Sequence, residues 1–229
     1  MLLLTLIVII QILKLLLGYK TDYSIMCCGL FGGSAKPKHT LDLEKIKTLG
    51  LCNMVRGVDS CGYYYNGYID KGVNDTAQWV SLIANKNIVK GESPCDIFIG
   101  HTRKSTVGAN IFDNAHPHEV DNNYIQSHNG TLSNHWNLCN KYGVDHTKIT
   151  VDSIALAHLI NKQGWSILND YVGYAALAMT WRDKPGYLYL YHGASKDKTT
   201  DANMWIERPL FYIEQDEGIY YSSMPDSLS

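Results

Sequence analysis

The sequence predicts an α+β fold whose sheets are largely antiparallel. Short strand-like segments alternate with helices from Cys28 onward, and no low-complexity linker interrupts them. The last third of the chain holds four successive strand-like segments, and the Asp216–Gly218 sequence is typical of a hairpin turn between the last two. Helices grouped between hairpin-connected strands favour this class over a doubly wound parallel sheet.

In the first half of the chain, a helix is predicted over residues 41–55, with Thr40 as its N-cap. Leu43, Ile46 and Leu49 recur at helical spacing on one face of this segment. A second helix is predicted at Thr76–Ala84. The strands predicted in this half are Cys28–Gly32, Gly62–Ile69, Asp96–Thr102 and Tyr124–His128.

In the second half, apolar residues at helical spacing predict two longer helices and one short helix. The helices are Asn134–Tyr142, Asp152–Lys162 and Ser166–Tyr171. Alternating and aromatic-rich segments predict the closing strands. These strands are Tyr174–Trp181, Gly186–Tyr191, Pro209–Glu214 and Ile219–Ser223.

The composition fits one ordinary globular domain of 229 residues. A net charge of -2 and the lack of a basic run give no electrostatic basis for nucleic-acid binding. The six cysteines form no C-x-x-C pair, so neither a zinc site nor a disulfide scaffold is indicated. We therefore expect mostly buried thiols in a reducing compartment, the cytoplasm.

Residues 1–26 form an apolar leader that stands apart from the domain predicted at 27–229. As a helix, residues 2–17 would extend roughly 24 Å, which is short of the ~30 Å hydrocarbon core of a bilayer. The segment has no basic n-region and a poor cleavage site. Three interpretations stay open: a weak membrane anchor, a removed leader, or translated upstream sequence with the start at Met26. The last is favoured, and membrane association is expected only if the leader is retained.

The segment Met26–Gly32 carries the strongest chemical signal. A cysteine that follows methionine can become the chain terminus, and a terminal cysteine combines a thiol nucleophile with its own α-amine as base. Glycines after the cysteine let the backbone pass close to a substrate. Trimming of Met26 leaves Cys27 first, whereas the glycine spacing favours Cys28, so both cysteines are candidates.

Two further polar clusters lie beside predicted strands. Arg56–Gly62 precedes a strand and is typical of a helix C-cap and turn, in which Arg56 would pair with Asp59. Gly100–Thr106 ends a strand, and its Arg103 offers a planar fork for a carboxylate. A surface arginine on a loop is the alternative interpretation of Arg103.

Three clusters follow in the middle of the chain. Asn114–His118 has two histidines at i and i+2, and packed histidines in a proline-fixed loop are favoured over a metal site. In Ser127–Asn134, Asn129-Gly130 is either a hairpin turn or a pair of donors for a developing oxyanion. Asp152 is either a helix N-cap or a carboxylate for a substrate ammonium group.

The order and spacing of these clusters together resemble the class II (N-terminal nucleophile) glutamine amidotransferase domain. The resemblance is greatest to the glutaminase half of glucosamine-6-phosphate synthase-type enzymes. The matching segments are Cys28–Gly32 for C-G-I-x-G, Arg56–Gly62 for R-G-x-D-S-x-G, Gly100–Arg103 for G-H-T-R, Asn114–His118 for N-A-H-P-H and His128–Gly130 for H-N-G. The family commonly has tryptophan and histidine where this chain has Lys104 and Val107.

The resemblance implies a four-layer αββα sandwich with two mostly antiparallel sheets. It also implies hydrolysis of L-glutamine to glutamate and ammonia without a metal or organic cofactor. Cys28 would be the nucleophile, with Cys27 as the alternative, and Asn129 and Gly130 would stabilise the oxyanion. The implied substrate-binding residues are Arg103 for the α-carboxylate, Asp152 for the α-ammonium group, Arg56 as support for the nucleophile, Thr106 and His128.

The ammonia would go to water or to a separate synthase subunit. Two other hypotheses stay open for the same fold. One is a catalytically silent or membrane-tethered binding module, and the other is a hydrolase of another γ-glutamyl amide.

Overall fold

The computed structural model describes residues 27–74, 76, 80, 96–106, 108–147, 149–195 and 208–228. The leader at 1–26, Cys95, Val107 and all but two residues of the helix predicted at Thr76–Ala84 lie outside the described residues. Ten strands are described, in chain order: β1 Gly29–Ala35, β2 Ser60–Tyr65, β3 Tyr68–Val73, β4 Ile97–Arg103, β5 His118–Val120, β6 Tyr124–Leu132, β7 Gly173–Trp181, β8 Tyr189–Ala194, β9 Phe211–Glu214 and β10 Gly218–Ser222. The described α-helices are α1 Leu43–Asn53, α2 His135–Tyr142 and α3 Asp152–Gln163.

The strands form two sheets in which all paired neighbours are antiparallel. The first sheet has six strands in the order β3-β2-β4-β1-β10-β9. The second has four strands in the order β5-β6-β7-β8. The chain therefore enters the first sheet, builds the second, and returns to the first with β9 and β10.

The central strands of the first sheet are buried on both faces, and successive side chains of each strand point to opposite sides. Phe31 of β1 and Phe98 of β4 pack with Ile46 of α1 on the outer face. Leu30 and Ile99, their neighbours along the same strands, pack on the inner face against the second sheet.

The second sheet repeats this arrangement with smaller side chains on its inner face. Ala176 and Ala178 of β7 belong to the inner cluster between the sheets. Leu177 and Met179 pack outward against the cluster formed with α2 and α3. The layers are thus helix, sheet, sheet and helices, which confirms the predicted αββα architecture.

Two local predictions in the first half were wrong. The N-cap of α1 is Asp42, not Thr40, and the Asp42 carboxylate accepts hydrogen bonds from the backbone N–H groups of Glu44 and Lys45. The single strand predicted at Gly62–Ile69 is the hairpin β2–β3. Asn66 and Gly67 form its turn with φ values of 48° and 102°, as a two-residue turn of type I′ requires.

Further along the chain, β6 is longer than predicted and β5 was not predicted at all. The short helix predicted at Ser166–Tyr171 is a 3₁₀-helix at Gly164–Asn169. The predicted hairpin at Asp216–Gly218 is confirmed, since β9 and β10 pair across it. No helix in the described part of the chain has the length and hydrophobicity that crossing a bilayer requires.

Candidate active site

Cys28 and Arg103 lie opposite each other because of the pairing register between β1 and β4. Gly29 pairs with Thr102 in this ladder, so the next pair outward joins Cys28 to Arg103. Side chains alternate along a strand, so Cys28 shares the inner face with Leu30. Arg103 likewise follows Ile99 on the inner face of β4. The edge of the inter-sheet layer therefore receives a thiol and a guanidinium group side by side.

The Cys28 thiol is half-buried and donates to the carbonyl oxygen of Lys104 at 3.6 Å. Burial raises the pKa of the Cys28 thiol, while the Lys104 carbonyl contact and the charges of Arg103 and Arg208 act in the opposite direction. Burial has the larger effect, so the thiol is neutral at pH 7 and needs a base before it can attack.

Arg56 and Gly57 hold the backbone of this region. The Arg56 side chain is buried, and its Nε donates to the carbonyl oxygen of Cys28 at 2.8 Å. A Cβ on Gly57 would lie 2.4 Å from the backbone carbon of Arg103 and from the nitrogen of Lys104. Only glycine lets this loop press against the end of β4, so the R-G pair fixes two parts of the site at once.

Asp59 organises the loop that follows β4. Its Oδ2 accepts from the Ser105 backbone N–H at 2.8 Å, and the Lys104 ammonium group lies 3.4 Å away. The Ser105 hydrogen bond is the larger cause of the lowered pKa of Asp59. Ser105 in turn accepts from Arg103 Nη1 at 2.8 Å. Asp59 thus positions Arg103 through Ser105.

Arg103 is a buried arginine, not a surface one, since 5% of the residue is exposed. Burial lowers the pKa of its guanidinium group, and the nearby groups Cys28, Asp59 and Asp152 act in the opposite direction. Arg103 Nη1 also donates to the carbonyl oxygen of Ala109 at 3.3 Å. The predicted carboxylate fork is therefore held inside the site, within electrostatic range of the predicted ammonium ligand Asp152.

Asn129 and Gly130 lie inside β6, where they pair with Ala176 and Ala175 of β7. The hairpin turn considered for them from the sequence is wrong. By alternation from Ile125, Asn129 faces the inner layer. It is 1% exposed, and its side-chain Nδ2 has no hydrogen-bond partner among the described residues. Because buried polar groups are nearly always paired, this amide is a donor available for a ligand oxygen.

Gly130 fills a place where no side chain fits. A Cβ there would lie 2.2 Å from His128 Nε2 and 2.2 Å from the carbonyl oxygen of Tyr174. His128 and Tyr174 therefore approach the strand backbone closely at Gly130, the residue that follows Asn129.

His128 connects three layers. Its Nδ1 lies 2.9 Å from the Ser153 hydroxyl of α3, and its carbonyl oxygen accepts from His101 Nε2 at 3.2 Å. Burial lowers the pKa of the His128 imidazole, and the nearby Asp152 carboxylate opposes this effect. The imidazole thus faces α3, while the backbone of His128 joins β6 to β4.

Asp152 is the first residue of α3, and the N-cap role expected for it is wrong. The N-cap residue is Val151, and Asp152 Oδ2 accepts from the Leu132 backbone N–H at 2.8 Å. This bond ties the start of α3 to the end of β6. The bond to Leu132 uses Oδ2, so the carboxylate keeps Oδ1 as an acceptor for a cationic group.

Thr106 is not brought into this cluster. It is exposed on the loop after β4, whereas the other predicted site residues are buried or half-buried. Lys104 contributes its backbone carbonyl to Cys28 and its ammonium group to Asp59, so its side chain is already engaged.

The Asn114–His118 segment supplies packed histidines, as favoured from the sequence. The His116 ring stacks between those of His101 and His118, with centroid distances of 4.1 and 4.2 Å. Burial lowers the pKa of all three, for His101 to about 3. Within the described residues, no group of three or more histidine, cysteine, aspartate or glutamate side chains is arranged to hold a metal ion.

Sequence reasoning missed Arg208, which lies just before β9. Its Nη1 donates to Cys27 Sγ at 2.8 Å, and its charge is within range of Cys28 and His128. No motif pointed to this residue. Only the return of β9 and β10 to the β1 edge brings it to the site.

A cavity of about 600 Å³ lies elsewhere, against the outer helices. Two of its polar side chains are hydrogen-bonded within its lining: Asn161 donates to Asp121, and Lys162 donates to the Gly143 carbonyl oxygen. The unpaired donor at Asn129 makes the inter-sheet edge, rather than this cavity, the candidate site.

Comparison with known proteins agrees with this geometry, although no protein-family model matches the chain. The chain is 29% identical over 180 residues to glutamine–fructose-6-phosphate aminotransferase (isomerizing) of Streptococcus pneumoniae R6, an alignment that covers 71% of this chain. It is 31% identical over 151 residues to the enzyme of the same name from strain TIGR4, with 62% of this chain covered. The fold matches that of glutamine phosphoribosylpyrophosphate amidotransferase from B. subtilis, complexed with ADP and GMP. That match has a TM-score of 0.61 and 21% identity, and it covers 87% of this chain and 42% of the other.

The chain is thus similar in sequence to one class II glutamine amidotransferase and shares the fold of another. The resemblance drawn from the motifs and the predicted fold class are both confirmed. The chain spans only 28% and 23% of the length of the two aminotransferases. The fold match by itself shows the architecture alone.

Within the described residues, the structure gathers most of the residues that the motifs singled out. Asn129 of β6 and Arg103 of β4 lie on the inner faces of their strands. Cys28, directly before β1, lies on the same face as the inward-facing Leu30. Asp152 and Arg56 support this cluster from α3 and from the loop after α1. The domain bounds at 27 and 229, and the individual roles of these residues, stay predictions.

Proposed function

We propose that this domain hydrolyses the side-chain amide of L-glutamine to glutamate and ammonia, with the Cys28 thiol as nucleophile. The observation that carries the proposal is the buried, unpaired Nδ2 of Asn129 at the edge of the layer that also receives Cys28 and Arg103. An unpaired buried donor destabilises the empty site. The same donor stabilises the transition state, in which the substrate oxygen becomes negative.

In the proposed reaction Cys28 Sγ attacks the amide carbon and its proton passes to a base. The tetrahedral oxyanion accepts hydrogen bonds from Asn129 Nδ2 and the Gly130 backbone. The proton returns to the leaving nitrogen, ammonia departs, and a thioester stays on Cys28. Water then attacks the thioester carbon, which releases glutamate and restores the thiol.

The base in this scheme is a free α-amine on the nucleophile itself. An α-amine has a reference pKa of about 7.7–8.0, which suits proton transfer near neutral pH. Burial raises the pKa of the Cys28 thiol, so a base is required. A free amine on Cys28 requires cleavage of the peptide bond to Cys27, whereas trimming of Met26 alone would free the amine of Cys27.

The substrate head group would be held by two charges. Arg103 would bind the α-carboxylate, and Oδ1, the second carboxylate oxygen of Asp152, would bind the α-ammonium group. Burial of both residues strengthens such contacts because water competes less. A γ-glutamyl amide other than glutamine carries the same head group, so it is the closest alternative substrate.

Glutamate release from L-glutamine, measured together with the intact mass of the mature chain, tests this proposal. We expect a mature N-terminus at Cys28, turnover abolished in Cys28→Ala, and turnover retained in Cys27→Ser. The reverse pattern would transfer the nucleophile to Cys27. A chain that keeps residues 1–27 and releases no glutamate would favour the catalytically silent module instead.

Arg103→Lys separates head-group binding from chemistry. It keeps the positive charge but loses the two-pronged geometry, so we expect a higher KM for glutamine. Unchanged KM would contradict the carboxylate assignment. The ammonia acceptor is proposed to be water or a separate synthase subunit, and the cytoplasmic location stays a prediction.

A further inference from the structure

Strand β6 has a strand neighbour along its whole length on one side only. On that side it pairs with β7 throughout. On the other side it pairs with β5, whose first residue, His118, lies opposite Gln126. Beyond Gln126, β6 therefore has an open edge within the described part of the chain. The proposed oxyanion donors Asn129 and Gly130 lie in this segment.

The backbone groups of every second residue of β6 point to the open edge. In an antiparallel strand, the N–H and C=O groups of successive residues point to opposite sides. The Leu132 N–H donates to the Asp152 carboxylate of α3, not to β7. His128 and Gly130 are an even number of residues from Leu132. Their backbone groups therefore also point to the open edge, away from β7.

His101 of β4 bonds to this edge. Its Nε2 lies 3.2 Å from the His128 carbonyl oxygen. A carbonyl oxygen only accepts, so the imidazole must carry a proton on Nε2. Burial and the nearby charge of Arg103 lower the pKa of His101 to about 3, so the ring is neutral at pH 7 and has a single N–H. His101 thus gives the His128 carbonyl the hydrogen bond that a longer β5 would have given.

This hydrogen bond joins the two halves of the proposed site. On β4, His101 lies two residues before Arg103 on the inner face, and Arg103 lies opposite Cys28. On β6, His128 lies directly before Asn129. A shift of β6 relative to β4 would move the oxyanion donors relative to the thiol, and a displacement of about 1 Å can slow a reaction about 100-fold. The bond opposes such a shift.

We propose that His101 is a positioning residue for the oxyanion donors Asn129 and Gly130. Its Nε2–H fixes the β6 backbone at His128 and so holds both donors within reach of an amide that Cys28 attacks. This role rests on the proposed function. His101 contacts neither the substrate nor the reacting atoms in this scheme, and it acts through the β6 backbone alone.

Steady-state kinetics of glutamate release by the full chain test the role. His101→Leu removes the donor but keeps a buried side chain, so we expect kcat to fall about ten- to 100-fold. KM should change by less than about threefold, because Arg103 is held by separate bonds to Ser105 and Ala109. His101→Gln keeps an N–H donor at a similar reach and should recover most of the lost kcat.

His116→Leu is the matched control. The His116 ring is buried beside that of His101, with the centroids 4.1 Å apart, and neither of its nitrogens has a hydrogen-bond partner among the described residues. The substitution disturbs the same histidine stack without breaking a described bond to β6, so kcat should stay within about threefold of the wild-type value.

Three kinetic outcomes would overturn the proposal. The first is an equal loss of kcat in His101→Leu and His116→Leu. The second is a His101→Gln variant as slow as His101→Leu. The third is a His101→Leu variant in which KM rises while kcat is unchanged.

A measurement on the wild-type chain covers the case in which His101→Leu does not fold. Nuclear magnetic resonance with isotope-labelled histidine distinguishes the two neutral tautomers, with His101 assigned through its backbone. We expect the Nε2–H tautomer at pH 7. The Nδ1–H tautomer would overturn the proposal, because that ring cannot donate to the His128 carbonyl oxygen.

Glutamate release by the wild-type chain separates the two proposals. No release by the wild type contradicts the proposed function. Wild-type turnover that persists unchanged in a folded His101→Leu variant contradicts the role of His101 alone.

Discussion

The layer between the two sheets has an apolar part and a polar part built on the same strands. In β4, Ile99 belongs to the inner apolar cluster, and the next two inward positions are His101 and Arg103. In β6, Ile125 is followed on the same face by Ser127 and Asn129. On each strand, a step of two residues along the inner face leads from apolar packing to polar side chains.

The two parts differ in what they do for the molecule. The apolar part buries side chains that need no partner, so its burial stabilises the fold directly. The polar part contains atoms without a described partner, such as Asn129 Nδ2 and both ring nitrogens of His116. Unpaired buried polar atoms cost free energy, so this end of the layer lowers stability, and in the proposed function the same atoms bind the substrate.

The largest expected effect is on stability, in the apolar part. Ile99 is fully buried, so Ile99→Ala should lower the free energy of unfolding by about 2–5 kcal/mol because it leaves a cavity. Ile99→Val should cost about 0.5–1.5 kcal/mol. Urea unfolding followed by circular dichroism measures both. A loss below that of Ile99→Val would mean that the inter-sheet packing is not tight at this position.

The next effect is on activity, in the polar part. Asn129→Ala should reduce kcat for glutamine about 100- to 1,000-fold because it removes one oxyanion donor, while stability changes by no more than about 1 kcal/mol. A steady-state assay and a urea titration of the same sample separate the two. A large loss of stability with normal kcat would show that Asn129 belongs to the packing instead.

Asn66 provides the matched control, since it is the other asparagine of an Asn-Gly pair. Its side chain donates to Asp96 at 2.8 Å and accepts from the Ile97 N–H at 2.7 Å. Asn66→Ala should therefore cost roughly 2 kcal/mol or more in stability, with little effect on kcat once folded.

The histidine stack predicts a smaller effect that depends on pH. Burial lowers the folded-state pKa of His101 to about 3, below the unfolded value of 6.5. Above pH 6.5 both states are neutral and the group has no effect. As the pH falls below 6.5 only the unfolded state takes up the proton, so stability decreases until the pH reaches the folded pKa. For His101 alone the loss at pH 5 is about 2 kcal/mol.

Urea titrations at pH 7 and pH 5 measure this loss, to which His116 and His118 add in the same direction. His116→Phe keeps a ring in the stack but cannot be protonated, so its stability should depend less on pH than that of the wild type. Equal stability of the wild type at both pH values would contradict the buried, neutral stack.

The two Asn-Gly pairs also show how far the sequence could predict this structure. Both dipeptides have the same turn propensity, yet Asn66-Gly67 is a hairpin turn while Asn129-Gly130 continues a strand. The difference comes from β7, which pairs along the whole of β6 and overrides the local preference. Runs of apolar and aromatic residues, by contrast, predicted most strands, because such side chains suit a pleated surface packed against a neighbouring layer.

The site divides in the same way. The order of the motifs singled out Cys28, Arg103 and Asn129 as candidate site residues, because a thiol, a guanidinium group and an amide at this spacing suit amide hydrolysis. Arg208 could not be found, since its contact with Cys27 spans 181 residues and depends on the order of strands in the first sheet. The roles of Asp152 and Thr106 could not be fixed locally either, since backbone geometry decides whether a side chain caps a helix, faces the site or points to solvent.

The smallest expected effect comes from Asp59, at the border of the polar part. Asp59→Asn replaces the charged acceptor of the Ser105 N–H with a weaker neutral one and loses the ion pair with Lys104, so we expect about 1 kcal/mol less stability and a modest rise in KM. The rise follows because Ser105 positions Arg103. Lys104→Gln loses the ion pair alone, and its partly exposed pair should be worth less than about 1 kcal/mol. If both variants raised KM equally, the ion pair rather than the Asp59–Ser105–Arg103 chain would hold the arginine, and the loop after β4 would owe its position to Lys104.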